Sequence, residues 1–155
     1  MTNDEKNQHE GVGAWAKRYY FTNRAALESV LRPYGLGSTQ WYVLYQLANE
    51  GPTIQRDLGK LLHLERATLS AVVATLVRKG LVDQVAGTPD QRQRLLRITA
   101  AGEHLWEQLP DPVAEIRAIA FGGSDPEEMA TAIRVLQTAT QRLADHMAKN
   151  DKPQA

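Results

Sequence analysis

The chain has 155 residues, 43% hydrophobic and 23% charged, which is ordinary for one folded domain, and it lacks cysteine, which excludes disulfides, thiolate chemistry and cysteine zinc sites. The 18 basic and 18 acidic residues cancel overall, yet residues 53–99 carry eight basic and four acidic residues, whereas residues 100–155 carry five and nine. Unless this asymmetry is chance scatter, the middle of the chain forms a basic working surface on a neutral or acidic scaffold.

The first residues and the apolar runs bear on location. The start MTNDEKNQHE lacks the basic and apolar regions of a signal peptide, and no run approaches the roughly 18 apolar residues of a membrane span. We therefore expect a cytoplasmic protein without a membrane partner.

Helical spacing of apolar residues dominates the first half of the chain. It predicts a helix over 13–31, a second from a Ser38 cap to Gly51, a short third capped by Thr53 and a fourth from about Glu65 to Gly80. The inward residues of the short helix are expected to be Ile54, Leu58 and Leu61.

The period changes after Gly80. Residues 81–86 and 94–99 read as two short strands joined by turn-forming residues, so a two-stranded ribbon is expected. Thr99 then caps a helix that Pro110 and Pro112 interrupt, and Asp111 is placed to cap its continuation. Residues 124–128, SDPEE, are the start signal of a final helix, with a cap, a proline and two acids in the first turn. The apolar seam of this helix suits a long helical partner: Met129, Ile133, Leu136, Thr140, Leu143 and Met147.

Three stretches of sequence resemble the MarR family of regulators. Residues 35–44, GLGSTQWYVL, are similar to the start of the family's second helix, and residues 53–82 are similar to its helix-turn-helix and the exit into its wing. Asp90-Gln91-Arg92, followed by Leu95, Ile98, Thr99 and Gly102, is similar to the wing motif of Asp-x-Arg and aliphatic-Thr-x-x-Gly. The close resemblance covers about residues 35–102.

The resemblance implies a mainly α fold with a small β-wing, in one MarR-type domain spanning 1–155. Residues 35–102 are then the winged helix-turn-helix lobe, and residues 11–33 and 103–149 are dimerisation helices. The implied protein is a homodimeric repressor that binds a pseudopalindromic site on double-stranded DNA and releases it when a small molecule binds. No catalysis, cofactor or metal is implied.

Candidate DNA-binding residues follow from their positions. Arg66, Thr68 and Ser70 lie in the first turns of the expected recognition helix, where they reach base edges or phosphates. Cations suited to backbone contacts and residues of the wing complete the set: Lys60, Arg78, Lys79, Asp90, Arg92, Arg94 and Arg97. In the wing, Arg92 is expected to enter a narrow minor groove while Asp90 orients its guanidinium.

Plainer explanations exist for the same residues. Asp90 and Arg92 are equally compatible, on spacing alone, with a solvated turn that holds a weak surface ion pair. The polar residues of the fourth helix are compatible with a merely exposed face. Two departures from the family pattern also bear on DNA binding: Ala71 stands where many relatives have arginine, and Pro110 and Pro112 interrupt a helix that is usually continuous.

Dimerisation and an effector site are expected from unburied apolar and aromatic residues. More apolar surface is present than one winged lobe can bury, since it includes the seam of the last helix, the aromatic first helix and residues 113–119. Burial against a two-fold partner is the simplest explanation, and an intrachain helical bundle is the alternative. For a planar aromatic acid or phenol, the candidate pocket residues are Trp15, Arg18, Tyr19, Trp41 and His104, although the aromatics are equally compatible with a core role.

Two other classes of function compete with a DNA-binding regulator. A small helical enzyme is disfavoured because the four histidines are scattered and neither HExxH, a glycine-rich phosphate loop nor GxSxG is present. A winged helix that binds protein without DNA predicts no steep salt dependence of DNA binding, whereas neutralisation of phosphates makes affinity fall strongly with salt.

Overall fold

The computed structural model describes residues 11–86 and 93–151. The helices are α1 (Val12–Leu31), α2 (Ser38–Glu50), α3 (Gln55–Leu61), α4 (Arg66–Arg78), α5 (Ala100–Gln108), α6 (Pro112–Phe121) and α7 (Pro126–Asn150), with a 3-10 turn at Arg32–Tyr34. The strands are β1 (Thr53–Ile54), β2 (Val82–Ala86) and β3 (Arg94–Ile98). Within the described ranges, no helix has both the length and the apolar character needed to cross a membrane. The mainly helical fold with a small β-wing is confirmed.

The chain divides into two units, Met1–Ile116 and Arg117–Ala155. The first unit contains a continuous hydrophobic core to which α1, α2, α3, α4, β2 and β3 contribute. Its fully buried members include Leu44, Leu58, Leu76 and Leu96. Burying apolar side chains of this size stabilises by roughly 1.5–3 kcal/mol each, so this core fixes the positions of the elements around it.

The sheet is antiparallel and three-stranded, in the order β1-β3-β2. Thr53 lies opposite Leu96, so the residues before α3 form a strand rather than the first turn of a helix. The predicted ribbon of two strands is confirmed as β2 and β3, and β1 adds a third strand that was not predicted. The expectation of Thr53 as a helix cap is wrong: the Thr53 hydroxyl donates to the Gly51 carbonyl (3.0 Å). Leu61, expected to face inward, is 57% exposed.

Helix caps show where local sequence signals hold. Thr99 accepts a hydrogen bond from the Gly102 amide and Asp111 from the Ala114 amide, so these two predicted caps are confirmed. Within the predicted start signal of the last helix, Asp125 is the residue that accepts, from the Glu127 amide. Ser38 is not a cap, because α2 begins at this residue and its buried hydroxyl donates to Glu28 of α1 (3.3 Å). The predicted interruption between α5 and α6 is present at residues 109–111.

The segment that follows α4 is joined to the start of α5. The Thr99 hydroxyl donates to the Gly80 carbonyl (2.6 Å), and the Thr99 amide donates to the Leu81 carbonyl (3.0 Å). A Cβ on Gly102 would lie 2.2 Å from the Leu81 carbonyl oxygen, a distance that only glycine avoids. The Thr-x-x-Gly motif is thus explained by this close approach of α5 to the exit of α4.

In the second unit, α7 is a 25-residue helix in which no described residue is buried. It begins at the Asp125 cap with Pro126 in the first turn and two glutamates close by, an arrangement that suits the positive end of a helix dipole. Several apolar residues of its predicted seam are exposed, namely Ile133, Leu136, Leu143 and Met147.

Candidate nucleic-acid interface

The helix-turn-helix is formed by α3, a short turn and α4. Gly59 permits the close approach, since a Cβ there would lie 3.3 Å from Leu69 Cδ2. The turn is closed by the Leu64 amide, which donates to the Gly59 carbonyl (2.9 Å), and by His63, which adopts a left-handed φ of 52°. This geometry fixes where the first turn of α4 begins.

Helix α4 presents two different faces. Leu69, Val73 and Leu76 are buried in the core. Arg66, Thr68 and Ser70 are exposed, as a helix with its apolar stripe turned inward requires. The structure therefore leaves the predicted base-reading side chains accessible to a ligand.

A groove runs along α3, the turn, the start of α4 and the end of the wing. It is lined by Gln55, Arg56, Gly59, Lys60, His63, Leu64, Arg66, Leu69, Ser70 and Arg94. Four of these residues are lysine or arginine, and among the lining residues within 11–86 and 93–151 none is a carboxylate. The four cations give this lining a positive charge, which suits a phosphate backbone.

The groove brings together four of the predicted DNA-binding residues, Lys60, Arg66, Ser70 and Arg94. It also includes residues that were not predicted, among them Gln55, Arg56 and His63. Arg56 had a sequence signal: it lies four residues before Lys60, so the helical repeat places both cations on one side of α3. Its guanidinium also lies near the exposed Asp57 carboxylate (3.9 Å).

Other predicted residues lie elsewhere or beyond the described ranges. Arg78 and Lys79 are at the far end of α4, about 18 Å along the helix from Arg66 at 1.5 Å per residue. The Lys79 ammonium donates to the Gly35 carbonyl and to Gln40 Oε1, and Arg78 donates to Thr75 Oγ1 (3.2 Å).

The wing is described only in part. Arg97 is exposed on β3 opposite Asp83. Asp90 and Arg92 lie outside the described residues.

The predicted effector residues form two groups. On α1, the Arg18 guanidinium lies 5.1 Å from the centre of the Trp15 ring, a cation–π distance, and Tyr19 is one residue further on. On α2, Trp41 belongs to an aromatic cluster with Tyr42, Tyr45 and Trp106, with ring centres 5.0–5.6 Å from its own. His104 lies one turn before Gln108, whose amide is 2.9 Å from its ring nitrogen.

The aromatic cluster contains an unpaired donor. Trp41 is 4% exposed, and within the described residues its buried indole Nε1 has no hydrogen-bond partner. Burial, followed by the nearby Tyr20 and Tyr19, raises the pKa of the Tyr42 phenol above its ordinary value of 10.0.

These features define a winged helix-turn-helix with a cationic groove against its recognition helix. The model of the MarR family matches residues 34–93, a stretch that includes α2, α3, α4 and β2, so the chain is similar to this family. Its relatives are transcriptional regulators rather than enzymes.

Two curated relatives and one solved structure show the extent of the similarity. The uncharacterized HTH-type transcriptional regulator YwoH of Bacillus subtilis is 34% identical over 51% of this chain and 57% of its own length. The transcriptional activatory protein BadR of Rhodopseudomonas palustris is 36% identical over 54% and 49%. The chain thus spans about half the length of the curated relatives it matches. BpsR of Bordetella bronchiseptica, whose DNA binding is regulated by 6-hydroxynicotinic acid, superimposes with a TM-score of 0.73 at 25% identity, covering 83% of this chain and 98% of BpsR.

Proposed function

We propose that this protein is a transcriptional regulator that binds a pseudopalindromic site on double-stranded DNA as a homodimer. The observation that carries the proposal is the groove at the start of α4 that is lined by Arg56, Lys60, Arg66 and Arg94, with no carboxylate among the lining residues that the structure describes. Arg66 and Ser70 supply donors for base edges, while Arg56 and Lys60 on α3 neutralise phosphates.

The dimer is proposed from the exposed seam of α7. Leu136, Leu143 and Met147 are 41–64% exposed, and apolar surface of this extent favours association. A two-fold axis places two recognition helices about one turn of DNA apart, ~34 Å, so the site is expected to be an inverted repeat with that spacing.

Repression is the proposed outcome, because a dimer seated across a promoter excludes polymerase. The name of BadR describes an activatory protein, and transcription in vitro separates activation from repression. In vitro transcription with the selected site overlapping the promoter is expected to fall when the protein is added, and a rise would overturn the repressor assignment.

DNA binding is tested with a duplex selected from random sequences, titrated by fluorescence anisotropy at several salt concentrations. Arg56→Ala and Lys60→Ala are each expected to weaken binding to all sequences and to lower the slope of log affinity against log salt by about one. Arg134→Ala on α7 is the matched control, since it removes the same charge from an exposed helix of the other unit.

Two results would contradict the proposal. One is a wild-type protein that ignores every duplex at low ionic strength, which would favour a protein-binding winged helix. The other is a salt slope that is the same in the groove variants and in Arg134→Ala.

A planar aromatic acid is the proposed effector, and it would release the DNA. The proposal is supported by the Arg18 guanidinium beside the Trp15 ring, by the unpaired Trp41 donor and by the regulation of BpsR with 6-hydroxynicotinic acid. A guanidinium binds a carboxylate while aromatic rings pack against the ligand's ring.

The effector proposal is tested with 6-hydroxynicotinic acid as the probe. Arg18→Ala is expected to raise the concentration needed for DNA release about tenfold, with little change in DNA affinity itself. Lys17→Ala, the adjacent exposed cation, is the control. Identical dose–response curves for Arg18→Ala and the parent, or no release of the parent, would refute this site for that acid.

A further inference from the structure

Three consecutive hydrogen bonds connect the wing to the recognition helix. Arg94 Nη1 of β3 donates to Gln84 Oε1 of β2 (3.1 Å), and Gln84 Nε2 donates to Gln55 Oε1 of α3 (2.7 Å). Gln55 Nε2 in turn donates to Ser70 Oγ of α4 (3.3 Å). We call these four side chains the polar relay.

The direction of the bonds determines what remains available to DNA. In each glutamine, the side-chain oxygen accepts from the preceding member of the relay and the side-chain amide donates to the next member. All three hydrogen bonds therefore have the same direction, from the Arg94 guanidinium to the Ser70 hydroxyl. Because Ser70 Oγ is an acceptor in the relay, its own hydrogen can point outward to a base or phosphate acceptor. Arg94 uses one of its five N–H donors here, which leaves donors for a phosphate.

The fold gives the relay a rigid base. Gln84 lies directly opposite the fully buried Leu96, on the same side of the ribbon as Val82 and Arg94. Gln55 follows β1, which pairs with β3, and precedes the buried Leu58. Both glutamines are half-buried, so their amides are partly shielded from competition by water.

We propose that Gln55 and Gln84 are positioning residues that fix the Ser70 hydroxyl and the Arg94 guanidinium as one preformed reading unit. The relay rests on the proposed DNA-binding function and deepens it: it makes base choice at the position read by Ser70 depend on the wing. Since the rotamers of all four side chains are restrained before DNA arrives, less conformational entropy is lost on binding.

The test removes the relay without adding charge. Gln55→Met and Gln84→Met keep the length of the side chain, and Gln46→Met, at a half-buried position on α2, is the matched control. Affinity for the selected duplex is expected to fall about threefold to tenfold in each relay variant, as loss of a net hydrogen bond implies, and less than twofold in the control.

A purely structural role would lower affinity without changing sequence preference, so base preference is the decisive measurement. Selection from random DNA is expected to show one flattened position per half-site for Gln55→Met and for Gln84→Met, the same position that Ser70→Ala flattens. In a double-mutant cycle, Ser70→Ala is expected to cost threefold to tenfold in the parent and less than twofold in Gln55→Met.

The outcomes separate the relay from the proposed function. If the parent binds a duplex but both glutamine variants keep its base preference, or if Ser70→Ala costs the same in both backgrounds, the relay is overturned and the DNA-binding regulator stands. If the parent binds no duplex, the regulator proposal is overturned and the relay with it.

Discussion

The winged lobe and α7 differ in how far they bury their apolar residues. In the lobe, leucines from α2, α3, α4 and β3 meet in one core, and several of them are fully buried. In α7, apolar residues recur at helical spacing, yet no described residue of the helix is buried. The lobe is therefore stabilised by its own packing, whereas α7 has a face suited to a partner helix.

The largest expected effect tests whether the core of the lobe stabilises the lobe by its own packing. Leu76→Ala removes a fully buried side chain of α4 and is expected to lower the free energy of unfolding by about 2–5 kcal/mol, since both burial and packing are lost. Urea unfolding at fixed protomer concentration measures this. Leu61→Ala, at the 57% exposed position of α3, is the control and is expected to change stability by less than about 0.5 kcal/mol.

If Leu76→Ala and Leu61→Ala lowered the free energy of unfolding equally, burial in this core would not explain the stability of the lobe. Leu61 is an instructive control because its spacing in the sequence also predicted burial. What separates it from Leu76 is the presence of neighbouring elements, and the periodicity of one short helix does not contain that information.

The next effect concerns α7. Leu143→Ala is expected to weaken the proposed dimer by about 2 kcal/mol, or roughly 30-fold in its dissociation constant, because two-fold symmetry removes apolar contact from both copies. Sedimentation at several protein concentrations measures the change. Arg142→Ala, the preceding residue outside the seam, is expected to leave the dissociation constant within about twofold.

A parent protein that stays monomeric at high concentration would contradict the proposal that α7, unlike the lobe, buries its apolar residues against a second copy. So would a Leu143→Ala dimer of unchanged strength, because the seam would then not form the interface. In either case the exposed residues of α7 would require another cover.

Sequence reasoning succeeded where the determining interactions are local. The caps at Thr99 and Asp111 depend on a neighbour three residues away, and both were predicted correctly. The start signal over 124–128 was also correct, and its capping residue is Asp125. Glycine and a terminal cation likewise gave the end of α4 within two residues. The wing was found because strand and turn residues alternate visibly in the sequence.

It failed where distant segments compete with local signals. Thr53 has the chemistry of a cap, but the chain pairs it with Leu96 in a sheet. Ser38 also has cap chemistry, but Glu28 of the preceding helix accepts its hydroxyl. In the candidate site, helical spacing could have predicted that Arg56 lies on the same side of α3 as Lys60. The contact of Gln55 with Gln84 depends on tertiary structure alone.

The smallest expected effect tests the junction between the wing and the recognition helix. Thr99→Ala removes the cap of α5 and the hydrogen bond to the Gly80 carbonyl, and is expected to lower the free energy of unfolding by about 1 kcal/mol. Thr75→Ala is the matched control: its hydroxyl donates to the Ala71 carbonyl four residues earlier in the same helix, and alanine has the higher helix propensity there. Urea unfolding is therefore expected to show little loss, or a slight gain, for the control.

The junction prediction has a consequence for the wing, because Thr99 immediately follows β3 and its hydroxyl donates to the Gly80 carbonyl, two residues after the end of α4. Hydrogen exchange of the Leu81 and Thr99 amides is expected to accelerate in Thr99→Ala more than exchange in the middle of α2. Uniform acceleration would instead indicate that the loss is global and that the junction has no separate stability. Selective acceleration would show that the wing is anchored at the exit of the recognition helix by a cap that also serves α5.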